Sequence, residues 1–339
     1  MKYLFFLFFC FGILSCTTID PVDVLSDENH NVTLQLNDLQ LSDYESTPPI
    51  YVPDGTLFYE NVPYGDDQKQ VLDIFLPKKN IGFSVYQENS VILNIHGGGF
   101  VFGDKSDIYQ NDNDISAYLK NNIAFVSMNY RLVKNNDPDQ SGCLKAFNDS
   151  ERVLNFFNAF SKQTRIDPTN IFLKGSSSGS GIVQYLISKP EFSARIKGAS
   201  LVAPQASYDF LKFNYLFSEF NFNLYKYISI QNLENKIINF YGGSHIEQLE
   251  NDPVIIENRA KILFDNVFDN YNGRLRLVAG NVGIPYESFQ TLNTLLHHQI
   301  HSIDIYNKAL ATGITIDAEI PYLNLQNNSS ELDFILNTF

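Results

Sequence analysis

Apolar and polar positions alternate in residues 56–62 and again in residues 71–77, with a polar loop between them, which predicts an antiparallel hairpin. The pattern then changes. Residues 91–95, 123–128 and 171–173 form short apolar runs, as expected of strands buried on both faces of a parallel sheet. Helical periods separate them, one over residues 115–120 and a longer one over 144–160, where Leu144, Phe147, Val153, Leu154, Phe157 and Phe160 share a face. Three more strands are expected at residues 198–203, 275–278 and 314–320, with a helix over 286–310 before the last. Strands and helices alternating through short connections predict an α/β class, with a doubly wound, mostly parallel sheet and helices on both faces. The sequence shows no internal repeat.

Two stretches break this rhythm. Between residues 204 and 257 rings accumulate, at Phe210, Phe213, Tyr215, Phe217, Phe220, Phe222, Tyr225 and Tyr227, which reads either as an inserted cap or as rings packing a surface helix onto the sheet. Residues 17–55 are polar and acidic, with Pro21, Pro48, Pro49 and Pro53, and read as a flexible tether ahead of a domain spanning 56–339. Before them stands the pattern of an export signal: Lys2, an apolar stretch over residues 3–14, and Ser15 next to Cys16. That order is similar to a bacterial lipobox, with Cys16 as lipid acceptor and a plain cleaved signal as the alternative. The apolar stretch is short of the ~20 residues that span a bilayer. The expectation is therefore a lipoprotein held at a membrane of the bacterial cell envelope by its lipid.

A chain of 339 residues, 44% hydrophobic and 18% charged, can bury one large core. Its 24 Lys+Arg against 38 Asp+Glu give a net charge of -14, which repels a polyphosphate and argues against a nucleic-acid partner. Loss of Cys10 with the signal and acylation of Cys16 would leave Cys143 as the one free thiol, so no disulfide framework is expected. Cys143 reads as a buried structural residue. No metal-binding cluster, phosphate loop or dinucleotide fingerprint stands out, and no cofactor is expected.

Chemistry enters with Gly175-Ser176-Ser177-Ser178-Gly179, which follows the 171–173 strand and precedes an apparent helix at 181–188. Small residues on either side permit the tight strand-to-helix turn that strains a serine and lifts its hydroxyl, making Ser177 the candidate nucleophile. A second motif, His96-Gly97-Gly98-Gly99-Phe100, follows the 91–95 strand. Backbone N–H groups can approach a developing oxyanion there without a Cβ in the way, so Gly98 and Gly99 are candidate donors, with the Ser178 N–H completing the hole.

With these two motifs the chain resembles the hormone-sensitive-lipase-like and feruloyl-esterase-like carboxylesterases of the α/β-hydrolase superfamily. The resemblance runs over about residues 72–320 and includes Gly103-Asp104-Lys105-Ser106, Asn129-Tyr130-Arg131-Leu132 and Asp149. It implies the α/β-hydrolase fold with an aromatic-rich cap insertion, scaffolding roles for Tyr130, Arg131 and Asp149, and a place for His96 in the oxyanion loop. It also implies an acid and then a histidine after the serine. Here the sequence departs from the family. Asn281 and Gly283 occupy the region of the acid, and the end of the chain holds no histidine beyond His301. Taking 237–241 as the acid-bearing strand puts His245 in the acid position and still leaves the histidine position empty. Asp209 is a possible acid, as some superfamily members carry theirs after the corresponding strand. His297, His298 and His301 fall in the expected 286–310 helix, on the outside of the sheet, where one of them would supply a base only through a helix swing or a neighbouring chain.

Two functions follow. One is a serine-type carboxylic-ester hydrolase for small acyl or aryl esters, carbohydrate-linked ones among them, with Ser177 as nucleophile. The other is an inactive homologue that binds an acyl, aryl or saccharide ligand in the same pocket. Loss of a triad member typically costs ~10⁴ to 10⁶ in kcat, while an intact oxyanion hole still leaves ~10³ to 10⁴ over water.

Overall fold

The computed structural model describes residues 39–78, 88–135, 140–281, 285–287 and 289–339. Eight strands form one sheet: β1 (Leu57–Pro63), β2 (Val71–Leu76), β3 (Asn89–Ile95), β4 (Ala124–Met128), β5 (Ile166–Ser176), β6 (Ile196–Val202), β7 (Arg274–Val278) and β8 (Ile316–Glu319). Their order is β1-β2-β4-β3-β5-β6-β7-β8. The first two form the expected antiparallel hairpin, β2 pairs antiparallel with β4, and every pairing beyond is parallel. All five residues of β4 are buried, as the unbroken apolar run demanded. Strand β5 is longer than its apolar run because polar residues 167–170 lead into it at the surface.

Helices cover both faces. The labelled ones are α1 (Asp112–Lys120), α2 (Leu144–Ala159), α3 (Ser178–Ser188), α4 (Leu292–Leu296), α5 (Gln299–Thr312) and α6 (Glu331–Leu336). In α2 the predicted stripe of Leu144, Phe147, Val153, Leu154 and Phe157 is buried. Residues 204–257 are helical segments set between β6 and β7. Their rings divide: Phe210, Phe213 and Phe217 are buried, while Tyr215 and Tyr225 are exposed. Phe213 and Phe217 pack edge or tilted against His301, with ring centroids 5.0 and 5.5 Å away. The aromatic stretch thus serves as packing for the segment before β8.

Two boundaries differ from expectation. The end of the polar stretch, 39–55, lies on the domain: Leu41 is in the core, Glu45 bridges Tyr59, and Ser116 Oγ donates to Tyr51 O at 2.7 Å. Residues 39–55 are therefore packed on the domain, ahead of its expected start at residue 56. Residues 1–38, with the export signal and Cys16, are outside the described residues. The single helix expected over 286–310 is instead two, α4 and α5, with a break at His297 and His298. His297 leaves helical geometry at φ -106°, ψ 19°, and His298 is extended at ψ 141°. Cys143 is free and buried, and burial pushes its thiol pKa up. Among the described residues no helix is long and apolar enough to cross a membrane, and no three His, Cys, Asp or Glu side chains group as metal ligands.

Strands β1, β2 and β4 are tied to the segment following the oxyanion loop through one buried ion pair. Asp73 of β2 meets Lys105 Nζ at 2.9 Å, with both side chains buried, and also accepts from Asn61 N at 2.8 Å and from the Tyr109 hydroxyl. Lys105 N donates to Asn129 Oδ1 at 2.7 Å, and Ser127 Oγ to Lys105 O at 2.7 Å. Removing one partner leaves an uncompensated buried charge, so Asp73→Ala is expected to destabilise by about 3–5 kcal/mol. Urea unfolding checks this, and the double variant Asp73→Leu/Lys105→Met should recover part of the loss.

Candidate active site

Ile95 lies opposite Gly175, so the loops leaving the C-terminal ends of β3 and β5 meet. The strand order reverses at this point, because β4 lies on the other side of β3, and open α/β sheets form their ligand crevice there. Strand β5 ends at Ser176 and α3 begins at Ser178, which leaves Ser177 alone in the turn at φ 50°, ψ -118°. Such a backbone costs about 1–3 kcal/mol and persists only where the surroundings impose it. Here Ser177 N donates to Val202 O of β6 at 2.8 Å, while Ser180 N reaches back to Ser177 O at 2.9 Å. The turn also needs its glycines. A Cβ on Gly175 would strike the backbone of Gly179, and one on Gly179 would strike the Ile95 carbonyl.

The second motif comes down beside the serine. A Cβ placed on Gly97 would lie 3.4 Å from Ser177 Cβ. Gly98 and Gly99 both have positive φ, at 110° and 61°, and the turn closes through Val101 N and Phe102 N donating to Gly98 O at 3.1 and 3.2 Å. Ser178 opens α3, so its N–H has no acceptor within the helix and sits at the positive end of the helix dipole. The three candidate oxyanion donors, Gly98, Gly99 and Ser178, are thus gathered at the sheet edge that carries Ser177. His96 supports the loop as expected. Its ring stacks on Tyr130 with centroids 4.2 Å apart, its Nδ1 is 2.6 Å from Gly97 O, and the Tyr130 hydroxyl donates to His96 O at 3.0 Å.

A histidine does reach the serine. His297 Nε2 is 2.8 Å from Ser177 Oγ, and its Nδ1 is 2.9 Å from Asn293 Oδ1. Asn293 lies on α4 and His297, four residues on, caps its C-terminus, while the N-terminus is fixed by a capping box between Thr291 and Thr294. An amide oxygen can only accept, so Nδ1 carries the hydrogen and Nε2 is left bare toward the hydroxyl, the tautomer a general base needs. Burial lowers the His297 pKa below 6.5, against an opposing hydrogen bond to the Asn293 backbone, which favours the neutral ring at neutral pH. Close approach is allowed from below by Gly280, just after β7, where a Cβ would lie 2.8 Å from His297 O and 2.9 Å from its Cβ.

The other polar residues singled out from the sequence lie elsewhere. Asp209, considered as an acid, is engaged by Arg259 through two bonds of 2.9 and 3.0 Å and also accepts from Leu211 N at 3.1 Å, so it is held within the cap by these partners. Asn281 donates to Thr294 O at 3.2 Å, and Gly283 is outside the described residues. Asp149 is fully buried, held by Arg131 and Gln70, which is a scaffold role. His298 caps α5 by accepting from Ile300 N at 3.1 Å and bonds to Tyr286 O. His301 is buried between Ala206 N, which donates to its Nδ1 at 3.3 Å, and Leu295 O, 3.0 Å from its Nε2. From the sequence these three histidines were expected on an outer helix, out of reach of the serine without a helix swing or a neighbouring chain, and none of the three was singled out. The spacing of Asn293 and His297 was the available signal.

Comparison with known proteins agrees with this architecture. No curated protein matches the chain in sequence. Among solved structures it is similar to esterase B from Lactobacillus rhamnosis (17% identity, TM-score 0.52, covering 80% of this chain and 76% of that one). It is also similar to a truncated carbohydrate esterase from gut microbiota (12% identity, TM-score 0.55, 85% and 98%). A third is a bifunctional GH43-CE protein of Bacteroides eggerthii (16% identity, TM-score 0.56, 83% and 38%). At these identities the likeness is one of fold. The BD-FAE family model matches residues 72–262, more than half of the chain and including both the oxyanion loop and the elbow, and the protein is therefore a member of the BD-FAE family, of α/β-hydrolase type.

Proposed function

We propose that this protein is a serine carboxylesterase whose triad is Ser177, His297 and Asn293. The observation that carries the reading is the 2.8 Å contact between Ser177 Oγ and His297 Nε2. Ser177 Oγ attacks the ester carbonyl carbon while its proton passes to His297 Nε2, and the oxyanion that forms is met by the N–H groups of Gly98, Gly99 and Ser178. The imidazolium then gives that proton to the leaving alkoxide, which departs as the alcohol. Water, activated by the same ring, releases the acid and restores Ser177. Asn293 holds the ring in its tautomer and supplies no charge, the arrangement found in Cys-His-Asn proteases.

Small acyl or aryl esters are the proposed substrates, carbohydrate-linked ones among them, in keeping with the two carbohydrate-esterase-type neighbours in fold. The ligand-binding alternative drew its support from the missing histidine, and His297 removes that support. The Lys2 to Cys16 pattern supports a lipid-anchored place in the cell envelope.

Hydrolysis of p-nitrophenyl acetate by residues 17–339 tests the reading. Ser177→Ala and His297→Gln should each cut kcat by ~10⁴ or more. Asn293→Ala should lose about 10- to 100-fold, part of the 10²–10⁴ that a placed general base supplies. Wild-type rates in Ser177→Ala would sink the proposal.

The pH profile gives a second test. His297 must be neutral to accept the proton, and burial holds its pKa below 6.5. The acid limb of kcat/KM is therefore expected below 6.5, so activity persists as pH falls through the ordinary imidazole range. Asn293→Asp puts a carboxylate against Nδ1, which stabilises the imidazolium and should move that limb upward. A limb unmoved by Asn293→Asp would show that Asn293 does not face the ring.

A further inference from the structure

The proposed base, His297, caps a helix of five residues, α4, too short to hold its own shape in water, which lies between β7 and β8. Something else must fix its distance from Ser177. The last two carbonyls before His297 are both taken by side chains from outside α4. Leu296 O accepts from Gln205 Nε2 at 2.9 Å, and Leu295 O lies 3.0 Å from His301 Nε2.

Gln205 is itself fully engaged. Its Nε2 also donates to Ala203 O at 3.1 Å, its Oε1 bonds to the Tyr208 hydroxyl, and its backbone O accepts from Gln184 Nε2 at 2.9 Å. The Tyr208 hydroxyl in turn lies 3.1 Å from Ser177 O. His301 is joined to the same strap by Ala206 N. Gln205, Ala206, Tyr208 and His301 are all buried. The strap thus touches the backbone of the nucleophile at one end and the backbone of the base-bearing helix at the other.

We propose that Gln205 and His301 are positioning residues that set the His297–Ser177 distance. The inference rests on the triad proposed above. His301 can act in this way because it stays neutral: burial pushes its pKa down to about 3, so Nδ1 accepts from Ala206 N while Nε2–H donates to Leu295 O. A misplacement of about 1 Å in such a base can cost ~100-fold in rate.

The test uses residues 17–339 with p-nitrophenyl acetate, and active sites are counted by complete labelling of Ser177 with a fluorophosphonate. Gln205→Leu is expected to lower kcat per labelled site roughly 10- to 100-fold while KM stays within about twofold. Gln205→Asn keeps an amide in the core but is one methylene too short for Leu296 O, and should show the same direction if the leucine variant does not fold. His301→Leu should resemble Gln205→Leu, and His301→Gln, which can still accept and donate without charge, should recover most of the rate. A role in stability alone would lower the yield of labelled sites and leave kcat per site at the wild-type value, which would overturn the proposal. The ring nitrogens of ¹⁵N-histidine give a readout that needs no turnover. The His297 Nε2 signal, assigned with His297→Gln, should move toward that of free imidazole in Gln205→Asn, and an unmoved signal would refute the strap even if the wild type proved inactive. Wild-type protein with no Ser177-dependent turnover would refute the esterase reading separately.

Discussion

A serine forced to a positive φ at the end of β5 is the constraint on which the rest of this structure depends. Ser177 at φ 50° turns the chain from strand to helix within one residue, and its neighbours on the sheet are shaped to keep it there. The same strain recurs along the same edge. Phe100 after β3 has φ 65°, Ala203 after β6 has φ 48° and Asn281 after β7 has φ 51°. Backbones of this kind gather where surrounding structure over-determines them. Here the surroundings are the parallel sheet itself, whose ladder brings Ile95, Gly175, Val202 and Val278 to one edge. Burial of the strands on both faces stabilises the sheet enough to hold four such turns side by side.

Much of this was legible in the sequence because it depends on local rules. Parallel strands need unbroken apolar runs, and those at 91–95, 123–128 and 171–173 marked β3, β4 and the centre of β5. The elbow and the oxyanion loop need glycines where no Cβ fits, and Gly175, Gly179 and Gly98 sit at such positions. Lys105 lies in a stretch recognised by resemblance, though its pairing with Asp73 across the chain could be seen only once β2 and the 105–111 turn were in place.

The approach of His297 to Ser177 was not legible, for two physical reasons. The break between α4 and α5 carries neither glycine nor proline; it is made by His298, an uncommon capping residue that accepts from Ile300 N through its ring. Without that break the run from 286 to 310 reads as one helix with its histidines on the solvent side. The orienting group was also of an unexpected type. A search for a carboxylate passes over Asn293, although an amide oxygen four residues before a histidine satisfies the same geometric need. Asp209 attracted notice by its charge, but the Arg259 guanidinium takes both of its oxygens.

Three histidines within five residues end up with three different tasks, and their surroundings explain why. His297 keeps one nitrogen for the serine, since its other nitrogen is the only one bonded within its own helix. His298 spends both nitrogens on backbone, one on the cap of α5 and one on Tyr286 O. His301 does the same between Ala206 and Leu295, with Phe213 and Phe217 packed on its ring. The aromatic insertion therefore shapes the site from behind. By burying His301 it keeps that ring uncharged, and an uncharged ring can accept on one side and donate on the other. A protonated ring would present two donors, one of them directed at the Ala206 N–H. The packing of rings from the cap and the placement of the base are in this sense one arrangement, with apolar burial selecting the protonation state that the hydrogen bonds require.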